Sequence, residues 1–283
     1  MAGTGSERPI AILAGGGRMP SLVAEAARRG GRAPIVFAIA GEGDPAAFGS
    51  LPVHILRWGE LGRLLNLARK ADCREVVFIG TISARPDLAS VRPDLGALKH
   101  LPRVLKLIGR GDHSLLEGMA AIFAEQGIEL VSPLDVAPDL ALGEGCQAGR
   151  VPGEAEIDIE KALQAARLIG GLDIAQAAVS VGGRVVALED VGGTDGLLRR
   201  VAEHRRSGRI GKAGGVLVKC LKPQQDGRHD LPTIGPDTAR ATAEAGLWGV
   251  AAEAGRTMLA GRDETIEAFR RAGLFLLGLK PSG

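Results

Sequence analysis

The chain has 283 residues, of which 45% are hydrophobic and 24% are charged, and its formal net charge is +2. Such a length and composition indicate a globular protein of two ordinary domains and exclude a disordered chain. The small net charge, with six Phe, two Trp and no Tyr, gives no support for a nucleic-acid partner, which would need a basic surface and stacking rings.

The three cysteines, Cys73, Cys146 and Cys220, are widely spaced and form no CxxC pair. Their number and spacing predict neither a disulfide framework nor a zinc ribbon. Residues 1–9 are short and polar, without the apolar region of a signal peptide, and no long apolar run follows. We therefore expect a protein of the reducing cytoplasm that does not span a membrane.

The first half of the chain alternates apolar runs with patterns of helical period. The predicted strands are residues 10–14, 34–40, 53–56, 75–79 and 128–131. The predicted helices are residues 20–29, residues 59–71 and two stretches between 95 and 126. Strands that alternate with helices predict a parallel sheet covered on both sides, so residues 1–131 are predicted to form a Rossmann-like α/β domain.

Residues 132–153 are rich in Pro and Gly without a sustained period, which predicts a linker. A second α/β domain is predicted for residues 154–283. Its predicted helices are residues 158–168, 194–206, 237–245 and 264–272. Its predicted strands are residues 177–181, 184–189, 215–220, 249–253 and 274–279, and Gly182 and Gly183 predict a hairpin between the first two.

Three consecutive glycines, Gly15, Gly16 and Gly17, separate the first predicted strand from the first predicted helix. Unpaired backbone N–H groups at such a turn, together with the helix dipole, favour the binding of a phosphate. The spacing is neither that of a dinucleotide-binding GxGxxG motif nor that of a P-loop. A ligand-free β–α turn is therefore the alternative, and it stays open.

The most unusual segment directly follows the predicted strand 215–220. Within twelve residues it combines three cations with two carboxylates and a pair of glutamines. Its charged residues are Lys219, Lys222, Asp226, Arg228 and Asp230. Lysine and arginine can hold phosphate oxygens, and carboxylates can hold Mg²⁺, which commonly bridges to substrate phosphates. Such a group could neutralise a pyrophosphate and orient a water molecule, and the alternative is a surface loop with balanced charge.

Two further motifs open predicted helices. Gly193-Thr194-Asp195 and Gly111-Asp112-His113-Ser114 both carry residues that are common helix caps. Thr194 is accordingly predicted to be the N-cap of its helix. Pure capping and contact with a substrate are both open interpretations of these positions.

Three of these motifs together resemble the LpxI-type UDP-2,3-diacylglucosamine pyrophosphatases of lipid A biosynthesis. They are the Ala-Gly-Gly-Gly-Arg run at residues 14–18, Gly193-Thr194-Asp195, and the stretch from Val218 to Pro236. The resemblance covers nearly the whole chain. It implies a hydrolase that converts UDP-2,3-diacylglucosamine to UMP and 2,3-diacylglucosamine 1-phosphate (lipid X). It also implies a divalent metal, Mg²⁺ or alternatively Mn²⁺, and two domains that hold the substrate in a chamber.

The resemblance also implies roles for individual residues. Asp226 is implied as the essential acid, in metal binding or in activation of water, with Asp230 as a second metal ligand. Lys219 and Arg228 are implied as its catalytic companions. The residues implied in substrate binding are Gly15, Gly16, Gly17, Thr194, Asp195, Lys212, Lys222, Gln225 and Thr233.

Two other functions stay open on the sequence alone. A nicotinamide-dependent sugar dehydrogenase would need an acid about 20 residues beyond the glycines to bind a ribose, and the predicted second strand is followed by such a residue only at Glu42. A regulator that binds a nucleotide sugar or a lipid without turnover is the non-enzymatic alternative.

The Arg-rich residues 198–209 favour a solvated helix face, with transient contact to the inner-membrane surface as the alternative. A homodimer is an open option for the assembly.

Overall fold

The computed structural model divides the chain into two compact units. The first unit comprises Met1–Pro138 and Arg228–Asp230, and the second comprises Asp139–Gly227 and Leu231–Gly283. The residues that the structure describes are 8–82, 91–108, 112–222, 227–228 and 231–281.

The first unit is built on a parallel sheet of five strands. The strands are β1 (Arg8–Ala14), β2 (Arg32–Ile39), β3 (Val53–Leu56), β4 (Glu75–Ile79) and β5 (Glu129–Leu130). They lie in the order β3-β2-β1-β4-β5, and all four pairings are parallel. Ile10 and Ile12 of the central strand are completely buried, as expected for an apolar strand that is covered on both faces.

The helices of the first unit supply apolar side chains that pack against this sheet. They are α1 (Met19–Arg29), α2 (Leu61–Lys70), α3 (Leu95–Ile108), α4 (Asp112–Ala124) and the short α5 (Pro133–Val136). Phe123 of α4 meets Phe78 of β4 edge to face at 5.4 Å between ring centroids, a favoured geometry for aromatic pairs. The first unit therefore has its own core.

The second unit contains a mixed sheet of six strands and a separate pair of short strands. Its strands are β6 (Gly145–Ala148), β7 (Ala177–Val181), β8 (Arg184–Leu188), β9 (Val216–Lys219), β10 (Thr233–Ile234), β11 (Gly249–Glu253), β12 (Met258–Leu259) and β13 (Phe275–Leu279). The large sheet has the order β6-β13-β11-β9-β7-β8, and β10 pairs with β12. Within the large sheet β9, β11 and β13 are parallel, whereas β6 and β7 run antiparallel to their neighbours β13 and β9.

Four helices cover the two faces of this sheet. They are α6 (Ala155–Gly171), α7 (Gly193–Arg206), α8 (Pro236–Glu244) and α9 (Arg262–Arg271). Because side chains alternate along a strand, Val216, Val218 and Cys220 pack with alanines of α6. Leu217 instead belongs to the core cluster that contains residues of α7, α8 and α9.

The register of the strands decides which side chains meet at one edge of the sheet. Ala177 at the start of β7 pairs with Lys219 at the end of β9, and Ser180 near the end of β7 pairs with Val216. Ala252 of β11 also pairs with Lys219. The end of β9 therefore lies between the end of β11 and the start of β7.

The predicted α/β fold class is confirmed, with a parallel sheet in the first unit and a mixed sheet in the second. Several local predictions are wrong. Residues 145–148, predicted as part of a linker, form β6 and pair with β13. Helix α7 begins at Gly193 with Gly192 as its N-cap and without a side-chain cap, so Thr194 is not the N-cap. Among the described helices, none is long and apolar enough to cross a membrane.

A buried carboxylate fixes the β7–β8 hairpin to α6. Asp158 in the first turn of α6 is only 1% exposed. It accepts hydrogen bonds from the Ser180 hydroxyl at 2.7 Å and from the backbone N–H groups of Gly182 and Gly183 at 3.0 and 2.7 Å. Replacement by alanine would leave these donors without their acceptor.

We expect Asp158→Ala to lower the free energy of unfolding by about 3 kcal/mol, because each buried donor without a partner costs about 1–3 kcal/mol. Urea unfolding followed by circular dichroism measures the change. Glu156→Ala is the matched control, since Glu156 is an exposed carboxylate in the same helical turn and should change stability by less than about 0.5 kcal/mol. Equal losses in the two variants would contradict the assignment.

Candidate active site

Strand β9 ends in the charged segment that the sequence analysis singles out, and Lys219 is the last residue of the strand. Its side chain is 6% exposed, and its Nζ donates a hydrogen bond to the carbonyl oxygen of Thr233 at 2.9 Å. Thr233 opens β10, and its own hydroxyl donates to the carbonyl of Leu231 at 3.3 Å. The structure therefore brings together Lys219 and Thr233, two of the predicted site residues.

A buried ion pair fixes the backbone two residues beyond Lys219. Glu253, the last residue of β11, is 4% exposed. Its Oε1 accepts a hydrogen bond from Arg167 Nη2 at 2.9 Å, and its Oε2 accepts one from the backbone N–H of Leu221 at 3.1 Å. Arg167 lies in the last part of α6, so one carboxylate joins α6 and β11 to the start of the charged segment.

The next residue of the segment is held by a second ion pair. Lys222 Nζ lies 2.9 Å from Asp173 Oδ1, and both side chains are largely shielded from solvent. Asp173 has a φ of +56°, which places it in the left-handed region that few residues other than glycine adopt. The turn between α6 and β7 thus presents the carboxylate that positions the predicted phosphate-binding Lys222.

Thr194 is held by another buried carboxylate at the same edge. Glu189 is 9% exposed, and its backbone N–H bonds to the carbonyl of Ala177. Its Oε1 accepts a hydrogen bond from the Thr194 hydroxyl at 2.8 Å, and its Oε2 accepts one from the backbone N–H of Gln176 at 3.0 Å. Asp195 is exposed in the first turn of α7. At this edge of the sheet, three carboxylates therefore hold the N–H of Leu221, the ammonium of Lys222 and the hydroxyl of Thr194, and the carbonyl of Thr233 holds Lys219.

Sequence reasoning missed these three carboxylates and Arg167. Glu253 ends strand β11, and Glu189 directly follows strand β8. A charged residue at the end of an apolar run could have indicated a buried, partnered carboxylate, because burial of an unpaired charge is costly. Asp173 and Arg167 have no such signal, since both lie in stretches that are typical of a helix end and its turn.

The buried Cys220 lies between Lys219 and Leu221 but is not suited to act as a nucleophile. Burial raises its pKa to about 12, and the nearby carboxylates of Glu253 and Glu189 act in the same direction. Because the thiolate is the reactive form of cysteine, Cys220 stays an unreactive thiol at neutral pH.

Gly15 and Gly16 of the first unit have a packing role. The backbone N–H groups of Gly15 and Gly16 donate to the carbonyls of Ile79 and Thr81, and the N–H of Thr81 donates back to Gly16. A Cβ atom on Gly15 would lie 2.5 Å from the carbonyl oxygen of Thr81. The expectation of unpaired N–H groups is therefore wrong for Gly15 and Gly16. Substrate contact stays a prediction at all three glycines, of which Gly17 has a φ of +85°.

Other predicted residues lie elsewhere in the chain. Lys212 is exposed in the loop before β9, at the opposite end of that strand from Lys219, so the structure does not bring these two lysines together. Arg228 is exposed, groups with the first unit and lines a cavity of about 600 Å³ with residues of α4 and β5. Gln225, Asp226 and Asp230 lie outside the described residues. Among the described residues, no three His, Cys, Asp or Glu side chains form a group that could hold a metal.

The burial of the cysteines predicts which thiols react. In the folded protein at about pH 8, iodoacetamide should label the exposed Cys146, and Cys73 and Cys220 should react only after unfolding in urea. Burial raises the pKa of Cys73 to about 11 and that of Cys220 to about 12, so raising the pH to about 9 should not expose either thiolate. Peptide mass spectrometry identifies the labelled sites. Rapid labelling of Cys220 in the native protein would contradict the buried edge described above.

Two protein-family models together match most of this chain. The model of the LpxI N-terminal domain matches residues 9–140, and the model of the LpxI C-terminal domain matches residues 143–277. A relative from Caulobacter vibrioides, named UDP-2,3-diacylglucosamine pyrophosphatase LpxI, is 38% identical over 97% of this chain and 98% of its own length.

Among solved structures, the UDP-glucose 4-epimerase of Thermus thermophilus in complex with NAD aligns with a TM-score of 0.31 and 12% identity over 96% of this chain and 86% of that chain. This similarity is too weak to indicate a relationship. The two family models and the relative from Caulobacter vibrioides show that the chain belongs to the LpxI family.

Proposed function

We propose that the protein hydrolyses the pyrophosphate of UDP-2,3-diacylglucosamine to UMP and 2,3-diacylglucosamine 1-phosphate, a step of lipid A biosynthesis. The name of the Caulobacter vibrioides relative and its identity over nearly the full length of both chains support this reaction. In the structure, the observation that carries the proposal is the pair of shielded lysines, Lys219 and Lys222, at the end of β9. In the sequence, Asp226 follows shortly after these two lysines.

The two lysines are suited to bind a diphosphate because each is held in place before the substrate arrives. The carbonyl of Thr233 fixes the Lys219 ammonium, and the carboxylate of Asp173 fixes that of Lys222. Cations that are already oriented in a shielded site stabilise the charge that develops on a departing phosphate without further reorganisation. Lys219 and Lys222 would thus favour cleavage between the two phosphorus atoms.

Thr194 is suited to contact a donor group of the substrate. Its hydroxyl hydrogen is directed at Glu189, so the oxygen of Thr194 can act only as an acceptor toward a ligand. A sugar hydroxyl or an amide N–H of UDP-2,3-diacylglucosamine would supply the matching donor. This directional preference would orient the substrate relative to the lysines.

We propose that Mg²⁺ or Mn²⁺ assists the reaction and that Asp226 and Asp230 are its protein ligands. The buried carboxylates of Glu189 and Glu253 already accept hydrogen bonds at both oxygens, so they are poor sources of metal ligands. Asp226 and Asp230 follow directly in the same segment, and oxygen ligands suit both ions. A bound divalent ion would neutralise charge on the diphosphate and acidify a water molecule.

The reaction itself can be tested with UDP-2,3-diacylglucosamine in ¹⁸O-labelled water. We expect UMP and 2,3-diacylglucosamine 1-phosphate in equal amounts with Mg²⁺ or Mn²⁺, and less than about 1% of that rate in EDTA if the ion supplies several kcal/mol of charge stabilisation. Mass spectrometry identifies both products and the phosphorus atom that receives the label. Tight binding of the substrate without release of UMP would instead identify a regulator and overturn the proposed function.

The role of Asp226 can be tested by Asp226→Asn, which keeps the size of the side chain and removes its charge. We expect kcat to fall by at least about 100-fold, with KM changed by less than about threefold, because the lost interaction stabilises the transition state. Asp263→Asn is the matched control, since Asp263 is exposed in the first turn of α9, and its kcat should equal that of the wild type. Wild-type turnover by Asp226→Asn would exclude Asp226 from the reaction.

A further inference from the structure

Glu253 occupies the point where the parallel pairing of β9 with β11 stops. The last residues of these strands in register are Lys219 and Ala252. Beyond them, Cys220 still donates its N–H to the carbonyl of Gln176 on the β7 side. The next N–H, that of Leu221, turns to the β11 side and donates to the carboxylate of Glu253 instead of a backbone carbonyl. The side chain of Glu253 thus supplies the hydrogen-bond acceptor for Leu221 where the backbone pairing of β9 with β11 ends.

The position of Glu253 in its strand explains why this carboxylate can reach Arg167. Side chains alternate along β11, and Ala251 packs with the alanines of α6. Glu253, two residues later, therefore points to the same face. Arg167 of α6 lies there, with Nη2 at 2.9 Å from Oε1 of Glu253. The ion pair offsets the cost of burying this carboxylate, since only 4% of Glu253 is exposed.

The anchored amide belongs to the segment on which the proposed reaction depends. Leu221 is 9% exposed and stands between Lys219 and Lys222. Its N–H is buried, so the bond to Glu253 is a strong restraint on the direction in which the chain leaves the sheet. A rotation of the backbone at Leu221 would displace Lys222 from Asp173.

We propose that Glu253 is a positioning residue for hydrolysis. Through the N–H of Leu221 it fixes the backbone that carries Lys222, and Arg167 holds its carboxylate in place. This inference rests on the proposed function as far as turnover is concerned, whereas the restraint on Leu221 can be measured without any substrate.

The test compares Glu253→Gln with Asp158→Asn. Both variants change a buried carboxylate of the second unit to an amide. Asp158, however, holds the β7–β8 hairpin, which lies at the opposite end of β7 from Lys219. Glutamine has one acceptor oxygen and an NH₂ group. Because the guanidinium of Arg167 is the stronger donor, the oxygen would turn to Arg167, and the N–H of Leu221 would face the NH₂ group and lose its acceptor. We expect Glu253→Gln to lower kcat by at least about tenfold with KM within about threefold, and Asp158→Asn to keep kcat within about twofold at a temperature at which both are folded.

Amide hydrogen exchange gives a readout that is independent of turnover. The N–H of Leu221 should exchange at least about tenfold faster in Glu253→Gln than in Asp158→Asn, because only the former opens this hydrogen bond locally. Arg167→Lys, which keeps the ion pair, should retain more activity than Arg167→Met. The Arg167→Met variant also carries the test if Glu253→Gln does not fold.

Two results would overturn the inference. Unchanged exchange at Leu221 in Glu253→Gln would show that the carboxylate does not hold the chain. A loss of kcat that is equal in Glu253→Gln and Asp158→Asn would show a general effect of reduced stability. A wild-type protein that releases no UMP would overturn the proposed function separately, and the exchange rates would then still decide whether Glu253 restrains Leu221.

Discussion

The structure of the second unit depends on hydrogen-bond and charge partners for the charged side chains that are buried at one edge of its sheet. Lys219, Glu189 and Glu253 are each less than 10% exposed, and an isolated charge at such a depth would be strongly unfavourable. Each therefore has a specific partner, and each partner belongs to a different element. The requirement for pairing thus fixes how α6, α7, β10 and the segment after β9 are arranged around the sheet.

The two units use the ends of their parallel strands in different ways. In the first unit, backbone hydrogen bonds of Gly15 with Ile79 and of Gly16 with Thr81 close the space between β1 and β4. This is the position where open α/β sheets commonly bind ligands. In the second unit, side chains with charge and hydrogen-bonding capacity fill the corresponding edge. Buried polar side chains therefore concentrate at the end of β9, although the three glycines near the N-terminus are the more conspicuous motif in the sequence.

Much of the fold could be predicted from the sequence because long apolar runs and helical periods are local signals. Strands β3, β4, β7 and β11 have the predicted boundaries. Strands of two residues, such as β10 and β12, have no period to detect. The composition of the charged segment after β9 reveals the segment but not its partners, because Arg167, Asp173 and Glu253 are distant in sequence. Only the register of the sheet brings them together, and register is a tertiary property.

The close approach of β1 and β4 constrains how this family can vary. A methyl group on Gly80 would lie 2.8 Å from backbone atoms of Gly15 and Gly16 and from the ring of Pro20, which is closer than real contacts allow. A single base change in the codon converts glycine to alanine. A Gly80→Ala variant can therefore arise readily by mutation, and selection would act against its steric clash. If such glycines are invariant among relatives, the close approach of two strand ends is sufficient to explain it. Their invariance would then not be evidence of nucleotide binding.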